Sequence, residues 1–106
     1  MRQRVLRLFF FAATALLCSC GAIQYSAQIE VAEQAFDRAR EQKAYEHAPY
    51  EYYYAKAYLD QARVEAARSS YENAIRYAKA AEKHCSIASE IALKRRKERG
   101  AIGAIR

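Results

Sequence analysis

Tyr71-Glu72-Asn73-Ala74-Ile75-Arg76-Tyr77-Ala78-Lys79-Ala80-Ala81-Glu82-Lys83-His84-Cys85-Ser86-Ile87-Ala88-Ser89-Glu90-Ile91-Ala92 is the stretch whose reading decides the fold. Within it Ala74, Tyr77, Ala78, Ala81, Cys85, Ala88 and Ala92 recur at steps of three and four, the spacing that lines side chains along one face of an α-helix. No strand-like alternation competes with that period. Working upstream, Ala55, Tyr58, Leu59, Ala62 and Ala66 repeat the pattern, as do Ala32, Ala35, Phe36 and Ala39. Alanine has the highest intrinsic helix propensity and no side-chain entropy to lose, so local preference and amphipathic pattern agree. The expected fold class is all-α, with antiparallel alanine-rich helices forming a three-helix up-down-up bundle or a long helical hairpin. With 3 glycines and 1 proline in 106 residues, a turn-rich β-sandwich is excluded, and the length leaves room for one domain.

The breaks between segments have chemical causes. Pro49 suits the first position of a helix and no interior one, so His47-Ala48-Pro49 starts a new helix. Ser69-Ser70-Tyr71-Glu72 reads as a capping box, with the Ser69 hydroxyl serving the Glu72 amide and the Glu72 carboxylate returning to Ser69. Helices are therefore expected near 23–46, 49–67 and 70–98, with Gly100 ending the last one and leaving 99–106 as a basic flexible tail. Facing alanine stripes let backbones approach closely, as in a tight antiparallel coiled coil, but each alanine buries little area. Larger residues must supply the remaining stabilisation, the candidates being Ile29, Phe36, Tyr54, Tyr58, Leu59, Tyr71, Tyr77, Ile87 and Ile91. So small a core makes oligomerisation or docking on a partner a natural complement.

The formal charge of +6 is unevenly spread. Arg2, Arg4 and Arg7 carry the first 19 residues to +3, the stretch 20–93 is close to neutral at −2, and 94–106 holds +5. After the three arginines comes the apolar run Leu8–Leu17, short for a bilayer span and laid out like a secretory signal. The following Leu17-Cys18-Ser19-Cys20-Gly21 resembles the lipobox of bacterial lipoprotein precursors, with Leu17 three positions before Cys20 and small Ser19 directly before it. That resemblance implies a lipoprotein signal peptide over 1–19, cleavage between Ser19 and Cys20, and a lipidated amino terminus over 20–22 with acyl chains on Cys20. The membrane anchor would be the lipid, since several acyl chains hold what one cannot. Gly21 in place of an aspartate implies onward transport to the outer membrane, with the helical domain, 23–98, facing the periplasm. Cys18 would leave with the signal and Cys20 would carry lipid, so Cys85 would stand alone, a small apolar residue on the third alanine stripe.

Repeated Ala-x-x-x-Ala spacing, the Ala48-Pro49 junction and the run Tyr54-Ala55-Lys56-Ala57-Tyr58-Leu59-Asp60-Gln61-Ala62-Arg63 followed by Tyr71-Glu72-Asn73-Ala74 resemble a bacterial family known as domain of unknown function 4398, over roughly residues 22–93. The resemblance implies a helical lipoprotein of the cell envelope, in some relatives joined to a peptidoglycan-binding domain, and brings no catalytic residues with it. The stretch Tyr71, Ala74, Ile75, Tyr77, Ala78 and Ala81 is also similar to the second helix of a tetratricopeptide repeat, without the fixed period of an array.

Two features could meet a partner. Tyr50, Tyr54 and Tyr58 share a helix face at i, i+4 and i+8, where amphipathic rings either stack on a glycan or protein partner or pack between helices with hydroxyls reaching water. Lys94, Arg95, Arg96 and Lys97, followed by Arg99, either attract an anionic envelope surface or complement the helix macrodipole. Export makes nucleic acid an unsuitable partner for that cluster. Carboxylates Glu30, Glu33, Asp37 and Glu41 are spaced for surface pairing with Arg38, Arg40 and Lys43. Consecutive helical residues His84 and Cys85 point about 100° apart and do not make a nucleophile–base pair. With no HExxH, CxxC or glycine-rich phosphate loop, neither an enzyme nor a metal site nor a cofactor is expected. The expected function is an outer-membrane-anchored structural or adaptor protein that binds envelope proteins or peptidoglycan. The alternative is a secreted helical binding module, a tetratricopeptide-like hairpin capturing a small or glycan ligand.

Overall fold

In the computed structural model, which describes residues 1–105 with the side chains of 17–19 and 104–105 left out, the three alanine stripes lie on three long helices. These are α1 (Arg2–Glu41), α3 (Pro49–Ala67) and α4 (Tyr71–Ile105), with the single turn α2 (Ala44–His47) between the first two. The described chain is all-α. Helix α3 runs antiparallel to α1 and α4, which run parallel to each other, giving the up-down-up order. Three layers fix that register: Ala32 with Leu59, Ala62, Ala78 and Ala81; Ala35 with Ala55 and Cys85; and Ala39 with Tyr52, Ala88 and Ala92. Of the 15 buried apolar residues among those described, 12 are alanine. The helices meet through methyl groups and backbone, as the seams require.

Because a buried methyl contributes little, bulk must come from elsewhere. Phe36 packs against all three layers and stacks on Tyr52 at a centroid distance of 4.9 Å, 23° from parallel. Tyr52 is the largest residue in the core and was absent from the expected set. Its neighbours Tyr50, Tyr53 and Tyr54 are exposed, so within Tyr50–Tyr54 the one buried ring is the residue three before Ala55. Polar ties cross the outer edges of the seam. Gln28 donates to Glu82 at 2.8 Å, and Arg63 reaches Glu33 of α1 at 2.8 Å as well as Asp60 of its own helix at 3.3 Å. Glu33 thus pairs across helices, whereas Asp37 and Arg40 make the expected local pair at 2.7 Å.

The helix ends depart from expectation in three places. First, α1 stops at Glu41, not at residue 46, because Lys43 takes a left-handed conformation (φ 56°) that closes the helix in the αL manner before α2 begins. Ala48, at φ −140° and ψ 59°, lies outside the helical region that a following proline disfavours, and Pro49 then opens α3 at its first position. Second, the capping box does not frame α4. Ser69 is itself left-handed (φ 61°), its amide bonding Ala66 O and the Ser70 amide bonding Glu65 O, both at 2.9 Å. That pair of bonds is a Schellman motif ending α3, so Ser70, not Ser69, precedes α4. Third, Gly100 does not end α4. Neither Gly100 nor Gly103 has positive φ, both sit in open space, and the alanines and isoleucines around them carry the helix to Ile105.

Both outer helices overhang the body, at opposite ends. Helix α1 begins to pack at Gly21, where a Cβ would lie 3.3 Å from Tyr71 Cβ at the start of α4. Before that point the described side chains of α1 are exposed. Helix α4 leaves the body beyond Ala92, at the end where α1 turns into α2 and α3, and its described side chains from Leu93 onward are exposed. The resulting rod measures 86 × 19 × 13 Å.

Candidate functional site

The α1 overhang is the first candidate. Val5, Leu6, Leu8, Phe9, Phe10, Phe11 and Leu16 all stand exposed on it. An 18-residue window there has a mean hydropathy of 1.9, long and apolar enough to cross a membrane by length and composition. An N-terminal apolar helix of this kind is compatible with a signal peptide or a membrane anchor, and with placement in the cell envelope. So large an uncovered apolar surface is not sustained in water. Cys20 is exposed at the base of this segment, one residue before packing starts. The side chain of Ser19 lies outside the described residues.

The second candidate is the tyrosine face. Turns of α3 bring Tyr50 and Tyr54 to a centroid distance of 5.5 Å in a stacked pair, and Tyr54 and Tyr58 to 5.1 Å edge to face. Helix α4 adds Tyr77, 6.0 Å from Tyr58, and His84, which lies 5.4 Å from Tyr58 and nearly parallel to it. The His84 ring is fixed on its other side by Glu51, whose Oε2 is 2.9 Å from Nδ1. Sequence spacing assigns the three α3 rings to one face. It could not supply Tyr77, His84 and Glu51, since those depend on the register between α3 and α4. A hydrogen bond with Tyr54, the adjacent phenols and some desolvation hold the Tyr58 phenol above its ordinary value, so it stays neutral. Tyr54, Ala57, Tyr58, Gln61 and Tyr77 line a shallow groove of about 380 Å³. Its lining combines three aromatic rings and a methyl with phenol hydroxyls and an amide, the mix that recognises amphipathic rings.

The third candidate is the α4 overhang, where the structure divides the basic cluster. Arg95 donates to the carbonyl of His47, and Arg96 donates to Gln42 Oε1 at 3.0 Å, so these two brace α4 against the junction where α1 turns into α2 and α3. Lys94, Lys97 and Arg99 are exposed, with no described ion pair. His47 is buried beside that brace with Nδ1 lacking a hydrogen-bond partner. Cys85 is buried in the middle layer, where desolvation pushes its thiol up to about 11 against the opposing pull of Arg38. It faces Ala35 and Ala55 while the adjacent His84 faces Tyr58. Among the described residues, no group of three or more His, Cys, Asp or Glu side chains comes together in a way that could hold a metal.

The family described as Domain of unknown function (DUF4398) matches residues 27–104. The chain belongs to the DUF4398 family. The match begins inside the packed part of α1, covers α3, and runs through the basic overhang of α4. The DUF4398 unit therefore includes Lys94–Arg99, beyond the 22–93 that the alanine spacing picks out, and leaves the apolar overhang outside it. No curated protein and no solved structure matches the chain.

Proposed function

We propose that this DUF4398 protein is a lipoprotein of the outer membrane, tethered by acyl chains on Cys20, whose helical rod acts in the periplasm as a structural or adaptor element for envelope proteins or peptidoglycan. The observation that carries the reading is where the lipobox-like Leu17-Cys18-Ser19-Cys20-Gly21 falls. It sits at the boundary between the unpacked apolar helix and the packed rod. Cleavage before Cys20 removes a segment whose described side chains are exposed, and leaves the first packing contact, Gly21 on Tyr71, in place. The thiol to be acylated is exposed there. Acyl chains then replace the apolar helix as the part that enters hydrocarbon.

Intact mass spectrometry of protein purified from membranes tests the tether. A triacylated mass beginning at Cys20 is expected, and a processed chain with an unmodified thiol at that residue overturns it. Crosslinking in intact envelopes, repeated with Tyr54→Ala and Tyr58→Ala, tests the tyrosine face as the adaptor surface, and partner adducts should weaken in both variants. A second reading, capture of a glycan without a membrane tether, is favoured by the groove over Tyr58. In that case soluble oligosaccharides would quench tyrosine fluorescence and bind unacylated protein.

A further inference from the structure

The geometry points to the overhang of α4, Lys94–Arg99, as a docking end for a carboxylate-bearing polymer of the envelope that stands off from the anchoring bilayer. The inference rests on the tether proposed above for the position of the bilayer, and not for the chemistry of the overhang. Helices α1 and α4 run parallel, and Gly21, next to the tether, meets Tyr71 at the start of α4. Lys97 lies at the other end of the same straight helix, about 39 Å further along at a rise of about 1.5 Å per residue. The tether and the cations occupy opposite poles of the rod.

That separation decides among anionic partners. Exposed charges are screened within about 8 Å at physiological ionic strength, so a bilayer at Cys20 does not feel cations at the far pole. Nor is the rod drawn down flat onto an anionic surface, since the stretch 20–93 carries 9 basic against 11 acidic residues. The overhang itself, 94–106, has 6 basic residues against 1 acidic. Its cations also have two jobs. Arg95 and Arg96 bind the His47 carbonyl and Gln42, which ties the base of the overhang to the body. Lys94, Lys97 and Arg99 are left to solvent at different azimuths of a bare helix. A flat lipid surface meets one face of a helix, whereas a flexible chain bearing carboxylates can follow cations around it.

The test uses the full chain in detergent and measures co-sedimentation with purified peptidoglycan sacculi, a carboxylate-bearing polymer, at 0.15 M and 0.5 M salt. Vesicles with and without anionic phospholipid, prepared free of detergent, form the comparison arm, so that insertion of the acyl chains, common to both, is subtracted. Wild-type protein should release from sacculi in high salt and bind the two kinds of vesicle alike. The variant Lys94→Ala/Lys97→Ala/Arg99→Ala spares both bracing arginines and should keep the circular dichroism of the parent while losing sacculus binding about tenfold or more. Equal sacculus binding by variant and parent, no sacculus binding by the parent, or a salt-sensitive preference of the parent for anionic over neutral vesicles overturns the proposal. Cys20→Ser separates it from the tether. That variant must lose acylation yet keep sacculus binding in this assay, so a failed tether and a failed docking end give different results.

Discussion

Ala81 and Ala101 are both alanines in the interior of α4, yet they live under different physics. Ala81 is fully buried, its methyl against Ala32, Leu59 and Ala62. Ala101 is exposed on the overhang, between two helical glycines with nothing within 4 Å of where their Cβ atoms would stand. In the first region the side chain is small because a neighbouring helix occupies the space. In the second, intrinsic propensity alone has to hold the helix, and the surface is shaped for what lies outside the molecule. An alanine-rich stretch thus has two meanings, close approach or mere helicity, and only the partner across the seam separates them.

The sharpest way to break the packed region is at the one ring that touches every layer. Phe36→Ala should destabilise the body by about 3 kcal/mol, a large part of the stability of so small a domain. Urea denaturation followed by circular dichroism reads it. A loss below about 1 kcal/mol would mean that the alanine seams, not Phe36, carry the fold.

A second probe compares thiol chemistry inside and outside the seam. With burial pushing the Cys85 thiol up to about 11, its thiolate fraction at pH 8 is roughly a hundredfold below that of an unburied cysteine. Iodoacetamide should therefore modify Cys85 in native protein at least that much more slowly than in denaturant. Between about 9 and 11 the unfolded thiol has lost its proton and the folded one has kept it, so the unfolded state binds fewer protons and stability falls as pH rises through that window. Cys85→Ala should flatten that part of the pH–stability curve.

The third contrast is the pair of alanines itself. Ala81→Leu forces a larger side chain between helices already in methyl contact and should cost about 1–3 kcal/mol, whereas Ala101→Leu should change stability by less than about 0.5 kcal/mol. Equal effects would show that the seam relaxes around the added bulk.

These contrasts also mark what the sequence could and could not tell. Every alanine of the first and third stripes is buried, and in the second only Ala66 is not, because period and small size both report on a close neighbour. Tyr52 was legible and missed: three before Ala55 and seven before Leu59, it continues the second stripe backward, whereas Tyr50, Tyr53 and Tyr54 fall off it. His84 and Glu51 beside Tyr58, and the division of labour between Arg95 and Lys94, carry no such signal, because they depend on the register between helices. Gly100 misled because glycine is read as a stop signal, while here its dihedrals are helical and α4 passes through it.

The smallest expected effects sit at the two turns, where left-handed residues are not glycine. Lys43 and Ser69 hold φ of 56° and 61°, a conformation that costs an L-residue roughly 1–2 kcal/mol and costs glycine nothing. Lys43→Gly and Ser69→Gly each relieve that strain but loosen the unfolded chain, which takes back about 0.4–1 kcal/mol. A net gain of about 0.5 kcal/mol per site is expected, read as a small rise in urea midpoint. The sites lie at opposite ends of the body and share no partner, so the double variant should gain close to the sum. Lys43→Gly also tests whether the break at Gln42-Lys43 belongs to the fold. If glycine there lowers stability, the left-handed turn is not what ends α1, and α1 with α2 would then be the continuous helix that the sequence pattern alone suggests.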